Sequence, residues 1–173
     1  MIRNASYDDI DQVLEIEKRM YWSSSDIWNK KLKKHIRNTF LSCLENFPEG
    51  FFVAVRNNKI AGFIILELID EVKTIPYVHD SRDFHKPNGN FAYVTGFGVI
   101  ADDLSLELYR KVIEFARSKG REKIVVVTHH EEKHDLLERK TLLSLKFKKE
   151  IEMTDWKLYH GRVDKADIWT RKL

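Results

Sequence analysis

The 173-residue chain is poor in the residues that cross-link or interrupt a backbone, with one cysteine, three prolines and seven glycines. The lone Cys43 excludes an internal disulfide, and on an apolar helical face it reads as a small core residue. No apolar stretch approaches the ~20 residues that cross a bilayer; the longest runs from Ile60 to Leu66. Met1-Ile2-Arg3 leads directly into patterned sequence without an apolar leader, so a cytoplasmic location and no membrane partner are expected. An excess of one charge is also missing. Thirty Lys and Arg against 27 Asp and Glu leave a net +3, with both signs interspersed, which argues against nucleic acid as a partner. A single glutamine, Gln12, beside abundant Lys and Glu gives a thermophile-like composition.

What is present describes a folded chain. Hydrophobic residues make up 43% and charged residues 33%, at a length suited to one domain spanning 1–173. Ile2 to Ala5 reads as a short strand. Ser6 then caps a helix that carries Asp8 and Asp9 in its first turn and Ile10, Val13, Leu14, Ile16 and Met20 at helical spacing. Ser23 to Asp26 caps a second helix with Ile27, Leu32, Ile36, Phe40, Cys43, Leu44 and Phe47 along one side, ended by Pro48-Glu49-Gly50. A hairpin of Phe51–Val55 and Ile60–Ile69 turns at Asn57-Asn58, residues that tolerate positive φ. The polar stretch from Asp70 to Asn90 exceeds ordinary loop lengths and reads as functional or partly structured.

Beyond it come a strand over Phe91–Val99, a helix from about Leu104 to Lys119 closed by Gly120, and a buried strand over Lys123–Thr128. A helix over Leu136–Leu145 and antiparallel strands over Phe147–Leu158 and Ala166–Lys172 complete the pattern. The fold class is α/β (α+β): a mixed, mostly antiparallel sheet of about seven strands with about four helices, in the order β-α-α-β-β-β-α-β-α-β-β.

That order resembles the GNAT acetyltransferase superfamily over nearly the whole chain. "IRNASYDDIDQVLEIEKRMY" is similar to the family's opening strand and helix, and "FFVAVRNNKIAGFIILE" to its second hairpin. "GFGV" at 96–99 stands where the fourth strand delivers the acyl-CoA site. "LYRKVIEFARSKGREKIVVVT" and "LLSLKFKKEIEM" resemble the helix and strand pairs that follow, with Lys146-Phe147 in place of Gly-Phe. The resemblance implies acetyl-CoA as co-substrate, held by backbone groups of Phe97, Gly98 and Val99 between splayed fourth and fifth strands. It places Asp103, Leu104 and Ser105 at the helix start that meets the cofactor phosphates.

The chain departs from the family there. "IADDLSLEL" replaces the Gln/Arg-x-x-Gly-x-Gly/Ala loop, whose glycines let backbone amides approach a pyrophosphate. Asp102 and Asp103 would stabilise the helix start, but each would oppose a phosphate about 5 Å away by roughly 1–3 kcal/mol, about 5- to 150-fold in affinity. The tyrosine that often donates a proton to the leaving thiolate is Leu142 by this alignment, with Thr141 beside it, and the usual Asn near that helix start is Asp135.

Candidates for the proton chemistry of amine acylation are His129 and His130 at the end of the fifth strand, with Tyr93 and Glu67 on neighbouring strands. His79, Asp80, Asp83 and His85 in the polar stretch have types suited to zinc or manganese, yet no feature fixes their geometry; contact of His79, Asp80 and His85 with an acceptor is the favoured reading, and no metal is expected. Trp22, near Tyr21 and Trp28, would border the acceptor cleft. The cationic run at 29–37 reads as a solvated helix face. The expectation is an N-acyltransferase acting by direct attack on a small-molecule or protein amine. Its alternatives are a non-catalytic ligand-sensing or interaction module and, third, a nucleic-acid-binding domain. The final strands offer edges suited to a homodimer.

Overall fold

The computed structural model describes residues 1–22, 28–69, 89–129, 133–157 and 163–173. Its elements are β1 (Ile2–Asn4), α1 (Ile10–Tyr21), α2 (Lys30–Asn46), β2 (Phe51–Arg56), β3 (Lys59–Ile69), β4 (Phe91–Val99), α3 (Asp103–Ser118), β5 (Lys123–His129), α4 (Lys133–Ser144), β6 (Lys148–Lys157) and β7 (Val163–Lys172). The expected order and class are observed. One seven-stranded sheet runs β1-β2-β3-β4-β5-β7-β6, antiparallel throughout except for β4 against β5. Among the described residues, no helix is long and apolar enough to cross a membrane.

Alternation along β3 sorts the helices onto two faces. Ile64, Leu66 and Leu68 join a core with Leu104, Leu108, Val112 and Ala116 of α3 and Leu142 of α4. Phe63 and Ile65 point the other way, into a core with Ile10, Val13, Leu14 and Ile16 of α1 and Leu32, Ile36, Phe40, Cys43 and Leu44 of α2. Farther along the same face, Ile69 belongs to a separate cluster with Tyr93, Val125, Ala166 and Ile168. Glu67 therefore falls on a seam between two apolar patches.

Local chemistry sets the element ends. Ser6 donates to Asp9 through both its amide, at 2.8 Å, and its hydroxyl, at 3.0 Å. The expected first turn is accordingly a 3-10 turn over Tyr7–Asp9 that feeds α1. The second helix starts later than expected, because Asn29 accepts from the Lys31 and Leu32 amides at 3.0 Å and caps it there; the expected Ser23–Asp26 cap lies outside the described residues. Asn57 and Asn58 take φ of 52° and 57°, as the hairpin requires.

The helices α3 and α4 end alike. Gly120, at φ 68°, sits where Arg121 N–H reaches Ala116 O and Gly120 N–H reaches Arg117 O. Lys146, at φ 62°, repeats this geometry with Phe147 N–H on Leu142 O and Lys146 N–H on Leu143 O. Both are Schellman closures, and the second holds a lysine in the left-handed conformation that glycine adopts more readily.

Candidate functional site

The fourth and fifth strands form a fork. They pair in parallel from Phe91/Lys123 to Val94/Val126 and no farther, although both continue. A bulge marks the branch point. Against β3 the register passes from Leu66/Val94 to Ile65/Gly96, so Thr95 is the extra residue. A bulge bends its strand and leaves one residue out of the ladder. Here the bend begins where β4 leaves β5.

Hydrogen-bond alternation shows which peptide groups face the fork. Ile100 N–H donates to Ala61 O at 2.9 Å, so the bonded β3/β4 pairs are Ala61/Ile100, Phe63/Gly98 and Ile65/Gly96. Phe97 and Val99 consequently turn their N–H and C=O away from β3, toward the opening. The same reasoning applies to β5. Leu173 N–H on Glu122 O at 3.0 Å makes Ile124/Arg171, Val126/Trp169 and Thr128/Asp167 the bonded pairs, which leaves Val127 and His129 facing the fork.

Some of these groups already have partners. Tyr21 Oη–H, from the end of α1, donates to Phe97 O at 2.7 Å. Arg139 of α4 donates to His129 O at 2.8 Å. Thr95 Oγ1 is buried and makes no hydrogen bond, an arrangement that costs stability unless a ligand completes it.

The three expected backbone contacts thus divide. Phe97 and Val99 face the opening, whereas Gly98 directs its peptide groups at Phe63. What Gly98 supplies is space, since a Cβ there would lie 2.6 Å from a Phe63 ring carbon and 3.1 Å from an Ile16 methyl. At the start of α3, helical phase turns Leu104 and Ser105 into the core; Ser105 is fully buried with its hydroxyl 2.8 Å from Thr141 Oγ1. Their amides bond Ala101 O and Asp102 O, which leaves Ala101 and Asp102 as the amides ahead of the helix without a backbone bond, while the Asp103 carboxyl accepts from its own amide.

Asp102 makes no side-chain cap. Asp103 is exposed and pairs with Arg56 from the β2–β3 hairpin. Hydrogen bonding to that guanidinium, ahead of its charge, holds the Asp103 carboxyl below its ordinary pKa. The acidic helix start therefore comes with a cation beside it.

Glu67 and Tyr93 are directly opposed across β3 and β4 and are nearly fully buried. Burial, then the Glu138 charge, pushes the Tyr93 phenol well up, so it stays protonated at neutral pH. His129 closes β5 at the fork. His130 and the residues of the polar stretch, His79, Asp80, Asp83 and His85, lie outside the described residues. Trp22 is half-buried, stacks near Trp28 at 6.3 Å, and donates from Nε1 to Glu17 at 3.2 Å.

Two groups were not expected from the sequence. On the α3 and α4 face, the buried Tyr109 donates to Glu138, and its phenol is raised far above the ordinary value by burial first and then by the Glu138 charge. On the α1 face, Glu17 lies on the line of Ile10, Val13 and Leu14. Burial raises its carboxyl to about pKa 7, against a smaller lowering by the Trp22 hydrogen bond. The signal was available: a glutamate four residues after Val13 and three after Leu14 stands on the apolar side of an amphipathic helix. Among the described residues, no group of three or more His, Cys, Asp or Glu could hold a metal ion.

A family model described as the acetyltransferase (GNAT) family matches residues 10–139. Solved structures share the architecture. The ribosomal-protein-S18-alanine N-acetyltransferase of Escherichia coli is 16% identical, with 99% of this chain and 92% of that one covered at a TM-score of 0.66. A putative acetyltransferase from Salmonella typhimurium, solved with its cofactor acetyl-CoA, is 16% identical over 100% and 93% of the two chains, at 0.67. The GphF GNAT-like decarboxylase in complex with isobutyryl-CoA is 15% identical over 99% and 98%, at 0.72. No curated protein matches.

Proposed function

Because the chain belongs to the GNAT acetyltransferase family, we propose that it transfers an acetyl or related acyl group from a CoA thioester to an amine of a small molecule or protein, by direct attack. The observation that carries this reading is the fork. Paired strands that part at a bulge present the peptide groups of Phe97 and Val99 on one arm and Val127 on the other to a gap. An extended arm containing amides can take those groups as a strand would, and the orphan Thr95 hydroxyl at the branch supplies a further polar contact. When bound, the thioester supplies an electrophilic carbonyl.

This chain's residues would hold and orient it. Phe97 and Val99 would fix the arm's register, and Gly98 would keep β4 close against Phe63. The Ala101 and Asp102 amides, with Arg56 nearby, would meet the phosphates. Cys43 is buried in the α1–α2 core and is not placed to carry an acyl group.

A second reading has its own support. The carbonyls of Phe97 and His129 are already used by Tyr21 and Arg139, and the α3 start is acidic. A fork partly satisfied from within suits a non-catalytic module that retains the fold for ligand sensing or protein contact. Calorimetry with acetyl-CoA, dephospho-CoA and pantetheine, coupled to thiol release in the presence of amines, tests the pair of readings. Micromolar binding with amine-dependent release supports transfer. Binding weaker than about millimolar with no release defeats it.

A further inference from the structure

We propose that Glu17 of α1 is the base that takes the proton from the acceptor ammonium, which places the acceptor on the α1 side of the fork. The inference rests on the transferase reading above and names a residue of the same site.

Its basis is where α1 lies. Ile16 packs where a Gly98 Cβ would be, and Tyr21, one turn beyond Glu17, hydrogen-bonds the Phe97 carbonyl. Residues four apart on a helix are neighbours, so Glu17 sits between two contacts that fasten α1 to the open arm of β4. Glu17 is thus on the side of α1 from which Tyr21 reaches the open arm. Trp22 Nε1–H donates to that carboxylate and orients it, and Trp28 lies against Trp22.

Among the described residues no Lys, Arg or His pairs with Glu17; burial and the Trp22 bond are what act on it. The titratable groups facing α1 from the elements packed against it are Lys59 and Glu67 of β3, Tyr93 of β4, and His35, Glu45 and Arg37 of α2, the last paired with Asp11; Tyr21 is on the same helix. The cations of α2, Lys30, Lys31, Lys33 and Lys34, are exposed. A half-buried carboxylate lacking a cation is costly, and an incoming ammonium is the charge that would complete it. Its raised pKa suits the task, since a base poised near neutrality both accepts and releases a proton.

The step balances. An ammonium gives one proton to the Glu17 carboxylate. The neutral amine then forms the C–N bond as the C–S bond breaks, and the nitrogen's second lost proton passes to the thiolate. Glu17 returns its proton to water.

Two measurements on the full chain test this. The 15N-indole signal of Trp22 should titrate with a midpoint near 7 and lose that step in Glu17→Gln; a flat wild-type signal overturns the proposal. With acetyl-CoA and a mixture of short alkylamines and N-terminally free dipeptide amides, Glu17→Gln should lower kcat/KM about 10²- to 10⁴-fold, remove the rising limb of the pH profile near 7, and leave acetyl-CoA affinity intact. Glu17→Asp should restore part of the rate. An unchanged profile in Glu17→Gln, with wild-type transfer present, overturns the role of Glu17 alone. Failure of the wild type to bind or turn over acetyl-CoA takes the transferase reading down and this role with it.

Discussion

Replacing Glu17 by Gln should make the protein more stable at alkaline pH and leave it nearly unchanged in mild acid. In the unfolded chain the carboxyl titrates near its ordinary 4.5, whereas in the fold burial holds it at about 7. Between those values the unfolded state binds fewer protons than the native state. Native stability therefore falls as pH rises from about 4.5 to about 7, and stays lowered above that.

At ~1.4 kcal/mol per pKa unit the shift corresponds to about 3 kcal/mol. The side chain retains some water access, which scales the effect to about 1–2 kcal/mol. Glutamine keeps the shape and still accepts from Trp22 Nε1, so the comparison isolates the charge. Urea unfolding followed by circular dichroism at pH 5 and pH 8 measures it as a double difference, in which all other titrations cancel. A variant-minus-wild-type difference equal at the two pH values would refute the reasoning.

Gly98→Ala should cost about 1–3 kcal/mol in denaturant unfolding, because its Cβ would lie 2.6 Å from the Phe63 ring. Thr95→Val removes a buried hydroxyl with no partner; the protein should gain about 1 kcal/mol while calorimetric affinity for acetyl-CoA falls about 2- to 10-fold. Unchanged affinity there would leave the hydroxyl without a ligand. Lys146→Gly should stabilise by about 0.5–1 kcal/mol, read as a rise in Tm, because glycine adopts φ 62° without strain. Asp9, held at about pKa 2 chiefly by its hydrogen bonds with Arg3, contributes stability that is present above pH 3.8 and lost as pH falls through 2. Asp9→Asn should accordingly cost about 1–2 kcal/mol at pH 7, and the difference should shrink in acid titration.

The fold was legible because each element carries its own period and punctuation. Leu32, Ile36, Phe40 and Cys43 mark α2, Asn57-Asn58 mark the hairpin, and Gly120 closes α3. The end of α4 was harder, since Lys146 occupies a position that glycine normally announces. The resemblance led to the fork, but its details did not follow from spacing. The Thr95 bulge exists only in the register between β3 and β4, and Tyr21 reaches Phe97 across a long interval of sequence. Which of Phe97, Gly98 and Val99 faces the opening likewise depends on one hydrogen bond, from Ile100 to Ala61. Glu17 was visible as a carboxylate in an apolar stripe; its significance came only with its neighbours.

The place of β7 between β5 and β6 bears on how the protein is made. The segment that borders β5 on its far side emerges from the ribosome after both α4 and β6. During synthesis, then, one tine of the fork has an unpaired flank until the Val163–Lys172 segment arrives to zip it. Closing such a distant pairing carries a loop-entropy cost that adjacent hairpins escape, so completion of this half should set the pace of folding.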